Sequence, residues 1–321
     1  MSLPALLKSR LRLPLIAAPM FLVSGPALVK AACRAGIIGS FPTANCRTVG
    51  ELDGWLVDMN EDLKRAADEV GRAPPPLCPN LIVHRSNPRV PDDLAAVLRH
   101  KAEIVITSVG SPEPVLQPLK DAGCLVLADV ASVRHAEKAV AAGGDGLVLL
   151  TAGAGGQTGW VNPFAFVRAV RKFWDGIVVM AGGMADGQAV AAAQALGCDL
   201  AYMGTKFIAT RESLAKESYK EMLVKSRLDD VLLTRAFTGL ETNMLRPSIA
   251  AAGLDPDDLP ARGAIDIAKD INAAERERPD AKRWKDIWSA GHSVSGVSDV
   301  PSVAELVERT AAEYDAARQR G

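Results

Sequence analysis

Three glycine turns, each directly after an apolar run, are the residues best placed to do chemistry in this chain. Gly153-Ala-Gly-Gly-Gln-Thr-Gly159 follows Gly146-Leu-Val-Leu-Leu150, Ala181-Gly-Gly183 follows Gly176-Ile-Val-Val-Met180, and Met203-Gly-Thr205 follows Asp199-Leu-Ala-Tyr202. A turn without side chains lets main-chain N–H groups come close to a phosphate or a flat ring. The N–H groups of Gly182, Gly183, Gly204 and Thr205, with the Thr205 hydroxyl, form a candidate dianion site. The plainer alternative is two tight turns that only need positive φ. Both turns fall at consecutive strand-like runs, which favours the phosphate.

Other candidates stand at the ends of apolar runs. Asn80, in Cys78-Pro-Asn-Leu-Ile-Val83, is an amide in an apolar setting and needs a partner. It is either a buried structural amide or a contact to a ring carbonyl or nitrogen. The turn Ala17-Ala-Pro-Met20 carries no acid or base. It lays backbone and a soft thioether against a planar ring, or is simply core. Of the four histidines, His84 follows the third run and His292 lies on a Gly/Ser loop, so these two are candidates for the site. His100 and His135 read as helix-end residues. There is no HExxH and no Cys/His cluster, so no metal is expected.

The elements that position these residues alternate in type. Strands are expected at Leu13–Met20, Ile37–Ser40, Leu77–Val83, Ile104–Val109, Cys124–Val130, Gly146–Leu150, Ile177–Ala181 and Leu200–Met203, with Ala-rich amphipathic helices between them. Continuous apolar strands are covered on both faces. Eight βα units predict an α/β fold, a (β/α)8 TIM barrel with its site at the C-terminal strand ends. A doubly wound sheet would carry its glycine fingerprint after the first strand, and here the glycines cluster late. The barrel core with its site is expected over 1–206. The last barrel helix and a helical cap, not an independent domain, are expected over 207–321, including a charged stretch at Arg276–Asp280. Strand-end residues Ser108, Asp129 and Trp160 are expected to shape the pocket.

Composition narrows the partners. The chain has 321 residues, 48% of them hydrophobic, with 37 Lys+Arg against 38 Asp+Glu. That balance, without a basic block, argues against nucleic acid. No apolar run approaches membrane-spanning length and no signal-peptide core is visible. Five scattered cysteines point to a reducing, cytoplasmic setting. The expected partner is a small-molecule substrate, with the oligomeric state open.

The ordered set Leu15-Ile-Ala-Ala-Pro-Met20, Asn80, Ser132-Val-Arg-His-Ala136, the 153–159 loop, Ala181-Gly-Gly183 and Met203-Gly-Thr-Lys-Phe207 resembles the nitronate monooxygenase (2-nitropropane dioxygenase-like) family of FMN barrels. The Thr234–Pro247 segment and the Gly291 loop add to the likeness, which covers most of residues 13–300. The resemblance implies non-covalent FMN, with its phosphate in the turns Ala181-Gly182-Gly183 and Met203-Gly204-Thr205. It also implies an isoalloxazine laid against Ala18, Met20, Asn80, Gly155 and Gly156. Similar proteins include NAD(P)H:quinone reductases and flavin-dependent enoyl-carrier-protein reductases. The departure is Gln157, where the family commonly has His. Glutamine cannot take up a proton near neutral pH, and a positioned base is worth roughly 10²–10⁴ in rate. An alkyl nitronate is already the carbanion and needs no base.

The resemblance, read with the departure at Gln157, implies oxidation of alkyl nitronates with O2; Gln157 is one candidate catalytic residue, and His84, from its place after the third run, is the other. The alternative is an NAD(P)H-dependent quinone or enoyl reductase on the same barrel. A phosphosugar lyase or isomerase without flavin is a third possibility. Its usual strand-end lysine or paired carboxylates reduce here to Lys206 and Asp129.

Overall fold

The computed structural model describes residues 3–259 and 286–319, so the expected charged stretch Arg276–Asp280 lies outside the described residues. Its centre is the expected barrel. Strands β1 (Leu15–Ala17), β2 (Ile38–Pro42), β3 (Leu77–Ile82), β4 (Ile104–Ser108), β5 (Leu125–Val130) and β6 (Gly146–Leu150) come first. A two-residue β7 (Gly156–Gln157) interrupts the series before β8 (Ile177–Ala181) and β9 (Leu200–Met203). The closed order is β1-β2-β3-β4-β5-β6-β8-β9. Closure is parallel, with Leu15 opposite Ala201 and Ala17 opposite Met203.

Period-two alternation sorts the strand residues. Ile104 and Ile106, Leu127, Val148, Ile177 and Val179, and Leu200 fill the barrel interior. Their neighbours Val105, Val178, Leu147 and Ala201 face the helices instead. Both faces are apolar, so the strands read as continuous hydrophobic runs. The helix Ala5–Arg10 closes the end where strands begin. Leu3 and Leu7 join the interior cluster there, and Arg10 reaches Pro74 O at 2.7 Å and the Glu103 carboxylate at 2.5 Å.

The eighth place in the outer ring is taken by Val303–Arg318, far along the chain. Its Leu306, Val307, Ala311 and Tyr314 share a buried cluster with Leu28 of Pro26–Arg34 and Val190 of Gly187–Leu196. The approach requires Gly187, since a Cβ there would lie 2.2 Å from Thr310 O and Tyr314 N. Ser302 and Glu305 start this helix with reciprocal caps.

Between β9 and that helix the chain makes an excursion over the mouth. It contains the helix Glu217–Lys225, strands β10 (Val231–Thr234) and β11 (Thr242–Leu245), the helix Arg246–Ala251 and a 3-10 turn His292–Gly296. Beside these helices the excursion holds an antiparallel sheet in the order β10-β11-β7. That sheet escapes sequence reading because its third strand, Gly156–Gln157, is only two residues long and far away in the chain. The excursion leaves and returns at one point. Arg211 N donates to Pro301 O at 3.0 Å, and Val303 N donates to the Glu212 carboxylate at 3.0 and 3.1 Å. Among the described residues no helix is long and apolar enough to cross a membrane.

Candidate active site

Alternation carries certain side chains into the mouth. Continuing the inward register of each strand gives Asn80 and Ile82 on β3, Ser108 on β4, Asp129 on β5, Leu150 on β6, Ala181 on β8 and Tyr202 on β9. All of them line a cavity of about 380 Å³ at the C-terminal strand ends. That volume suits a small-molecule site. Cap residues cover it, among them Leu214, Lys216, Tyr219 and Trp288.

One wall is made of backbone. Gly182 and Gly183 have φ of +115° and +72°, which only glycine adopts without strain. A Cβ on Gly182 would stand 2.4 Å from Thr151 Oγ1, whose hydroxyl donates to Ala181 O at 2.7 Å. A Cβ on Gly183 would stand in open space, so that face is open to a ligand. The 153–156 loop meets the 290–292 segment backbone to backbone, and a Cβ on Gly155 would be 2.7 Å from Gly291 N. Gly291 N donates to Thr205 Oγ1 at 2.9 Å, His292 N to Gly153 O at 2.9 Å, and Asn243 Nδ2 to Ala154 O at 2.7 Å. The Thr205 hydroxyl accepts from the loop and keeps its own proton for an acceptor in the cavity.

The opposite wall is made of side chains. Ser108 Oγ donates to Asn80 Oδ1 at 3.2 Å, and Asn80 Nδ2 donates to Ile106 O at 3.4 Å, leaving one amide proton unused. Asp129 Oδ1 is enclosed and has no hydrogen-bond partner among the described residues, while another part of the side chain faces the cavity. Burial alone pushes its carboxyl up to about 8, so it carries its proton at neutral pH. The Tyr202 phenol is also raised far above its ordinary value, by burial first and then by Asp129 and Cys78. Lys206, partly buried, donates to Gly296 O, and burial lowers its pKa.

Most expected site residues come together. Ala18, Met20, Asn80, Gly155, Gly156, Gln157, Ala181, Gly182, Gly183, Gly204 and Thr205 all line the cavity, as do Ser108 and Asp129. Gln157 sits on β7 opposite Thr242, and its side-chain amide has no partner among the described residues. Met203 does not line it. Its position on β9 is outward, so its side chain packs among helix residues while its carbonyl accepts from Ala18 N at 2.9 Å. His84 is also outside the lining, because the chain turns away after β3. Its Nδ1 lies 2.8 Å from Ser86 Oγ and 3.2 Å from Ser86 N. The exposed His292 ring covers Gly153 from outside, and Trp160 is 73% exposed away from the cavity.

Sequence reading missed three aromatics. Tyr202 was legible, two residues after Leu200 in the inward register. Tyr219 and Trp288 were not, since their pairing joins distant segments. Their rings stack at 4.9 Å with 10° between planes, and Tyr219 Oη donates to Ser289 O at 2.5 Å.

Comparison with known proteins places this geometry. The model of the nitronate monooxygenase family matches residues 5–313. A nitronate monooxygenase of Paraburkholderia phytofirmans is 30% identical over 92% of this chain and 90% of its own length. A (3aS,4S,5R,7aS)-5-hydroxy-7a-methyl-1-oxo-octahydro-1H-indene-4-carboxyl-CoA dehydrogenase of Rhodococcus jostii is 26% identical over 89% of this chain and 76% of its own. Among solved structures, nitroalkane oxidase from Streptomyces ansochromogenes superposes with a TM-score of 0.76 at 26% identity, covering 98% of this chain and 99% of the other. FabK from Thermotoga maritima superposes with a TM-score of 0.80 at 24% identity, covering 98% and 96%, a likeness of fold.

Proposed function

Because the chain belongs to the nitronate monooxygenase family, and is therefore an oxidoreductase, we propose that it is an FMN-dependent enzyme that oxidises alkyl nitronates with O2. The residues present suit that cofactor. The side-chain-free wall at Gly182 and Gly183, with Gly204 and the spare Thr205 proton, would hold the phosphate. Ala18, Met20, Asn80 and the Gly155-Gly156 backbone would hold the ring, and the Asp129 carboxyl, with no partner among the described residues, lines the same cavity. Bound FMN supplies the redox chemistry, and the protein supplies position and electrostatics.

The observation that carries the choice of substrate is Gln157. It lines the cavity with a free amide, and no histidine lines the cavity among the described residues. An amide N–H can donate to a nitro oxygen and orient it, but the group cannot hold a proton taken from carbon. A nitronate has already lost that proton. The apolar cap, with the Tyr219–Trp288 stack, excludes water from the alkyl part.

A second reading rests on Asp129. A carboxyl that keeps its proton inside the cavity is an acid, which reduction of a quinone or enoyl acceptor by NAD(P)H would require. The visible spectrum of the FMN-loaded protein under anaerobic conditions separates the two. Bleaching by an alkyl nitronate is the expected result. A band indifferent to nitronate but bleached by NAD(P)H transfers the assignment to the reductase. A protein that takes up no FMN would sink both.

A further inference from the structure

The wall formed by β3, β4 and β5 contains one group that nothing in the protein accounts for. Apart from the Tyr202 phenol, the strand-end side chains Ile82, Leu150 and Ala181 around it are apolar. Here Asn80, Ser108 and Asp129 project from three neighbouring strands in the same inward register. Asn80 and Ser108 satisfy each other in part. Asp129 satisfies nothing, since Oδ1 is enclosed and has no partner among the described residues. An oxygen reached by neither a protein donor nor water is a poor place for negative charge, so the carboxyl keeps its proton and offers it on the side that faces the cavity.

We propose that Asp129 is a ligand-binding residue whose cavity-facing carboxyl side donates its proton to a ring carbonyl or ring nitrogen of a planar heterocycle in the barrel mouth. A protonated carboxyl has an O–H donor, and a ring carbonyl or nitrogen presents the complementary acceptor. An ionised carboxylate only accepts, so it cannot make that bond. The titratable groups facing Asp129 are the Tyr202 phenol on β9 and the Cys78 thiol on β3, both raised by burial and both neutral. No charged side chain counters the burial of Asp129, so it stays protonated to about pH 8. Among the described residues no cluster of metal-ligating side chains includes it.

This assignment rests on the flavin reading, because the pyrimidine ring of FMN carries such acceptors. Full-length protein stripped of ligand is titrated with FMN by fluorescence between pH 6.5 and 9.5, as wild type, Asp129→Asn and Asp129→Ala. Wild type is expected to bind progressively more weakly above about pH 8, by up to about tenfold per pH unit. Asp129→Asn keeps a donor and an acceptor, so it binds with a flat pH profile. Asp129→Ala binds about tenfold more weakly near neutral pH. Thermal unfolding of each apo-protein confirms that the variants are folded. Equal affinity in wild type and Asp129→Ala, a pH dependence that survives in Asp129→Asn, or binding that strengthens as pH rises would each overturn the proposal while leaving FMN binding intact. Wild type that binds no FMN overturns the flavin reading, and the Asp129 assignment with it.

Discussion

The two walls of the mouth are built on opposite principles. At β8 and β9 the wall is backbone, shaped by the positive φ of Gly182 and Gly183 and by a loop packed main chain to main chain against Gly291. At β3, β4 and β5 it is side chain, shaped by the inward register of Asn80, Ser108 and Asp129. The first offers fixed N–H dipoles beside the Tyr202 phenol, which burial holds neutral. The second offers one carboxyl, Asp129, whose charge depends on burial. One wall can hold a ligand at any pH; the other senses it.

The backbone wall is the less forgiving. In Gly182→Val a side chain must occupy the space where a Cβ already meets Thr151 Oγ1 at 2.4 Å, from a φ of +115°. We expect the purified protein to lose bound FMN and about 2–4 kcal/mol of stability, read from the flavin absorbance and a thermal melt. If flavin is retained, that wall does not hold the phosphate. Next comes Gln157→His, which places a titratable imidazole beside the backbone wall. Turnover of neutral nitroalkanes should rise about a hundredfold or more, while nitronate turnover changes only a few-fold. Steady-state kinetics on both substrates decide it, and an unchanged ratio removes the role given to Gln157.

The side-chain wall is tested by Asp129→Asn in the apo-protein. The folded carboxyl titrates near 8 against an ordinary 3.8, so the native state holds a proton that the unfolded chain releases. Its contribution is fully present below about pH 3.8 and is lost as pH rises toward 8. Wild-type stability should therefore fall over that window by up to a few kcal/mol through this group, and the variant should flatten the curve. Melts at pH 5 and pH 8 suffice, and identical slopes would show that Asp129 ionises freely. The smallest effect is expected from Asn243→Ala, which cuts the 2.7 Å bond from the cap to Ala154 O. The loss should be about 1–2 kcal/mol, with a few-fold weaker hold on FMN and no change in pH dependence.

The same contrast explains what could be read from the sequence. The barrel was legible because each strand is a compact apolar run and each glycine turn sits at a strand end, all within local sequence. The backbone wall followed directly. The side-chain wall required register. Asn80 stood out as an amide among apolar residues, but Met203 was assigned to the site although alternation turns it outward. Tyr202, one residue earlier, faces in. His84 looked like a strand-end base, yet it lies past the point where β3 leaves the barrel. The cap was read least well. The β10-β11-β7 sheet and the Tyr219–Trp288 stack bring together segments with no local signal.

The excursion over the mouth departs at Arg211-Glu212 and returns at Pro301-Ser-Val303, with the two ends hydrogen-bonded to each other. A loop closed at its base costs the barrel little more as it lengthens, since closure entropy grows only with the logarithm of length. The cap is thus a graft on one connection of the ring. Its outer content can be lengthened or exchanged without disturbing the barrel strands, provided the pieces that touch the 153–157 loop and Thr205 are kept, namely the Thr242–Asn243 pairing and Gly291. In such an architecture the covering of the mouth can diverge while the strand-end residues beneath it stay the same.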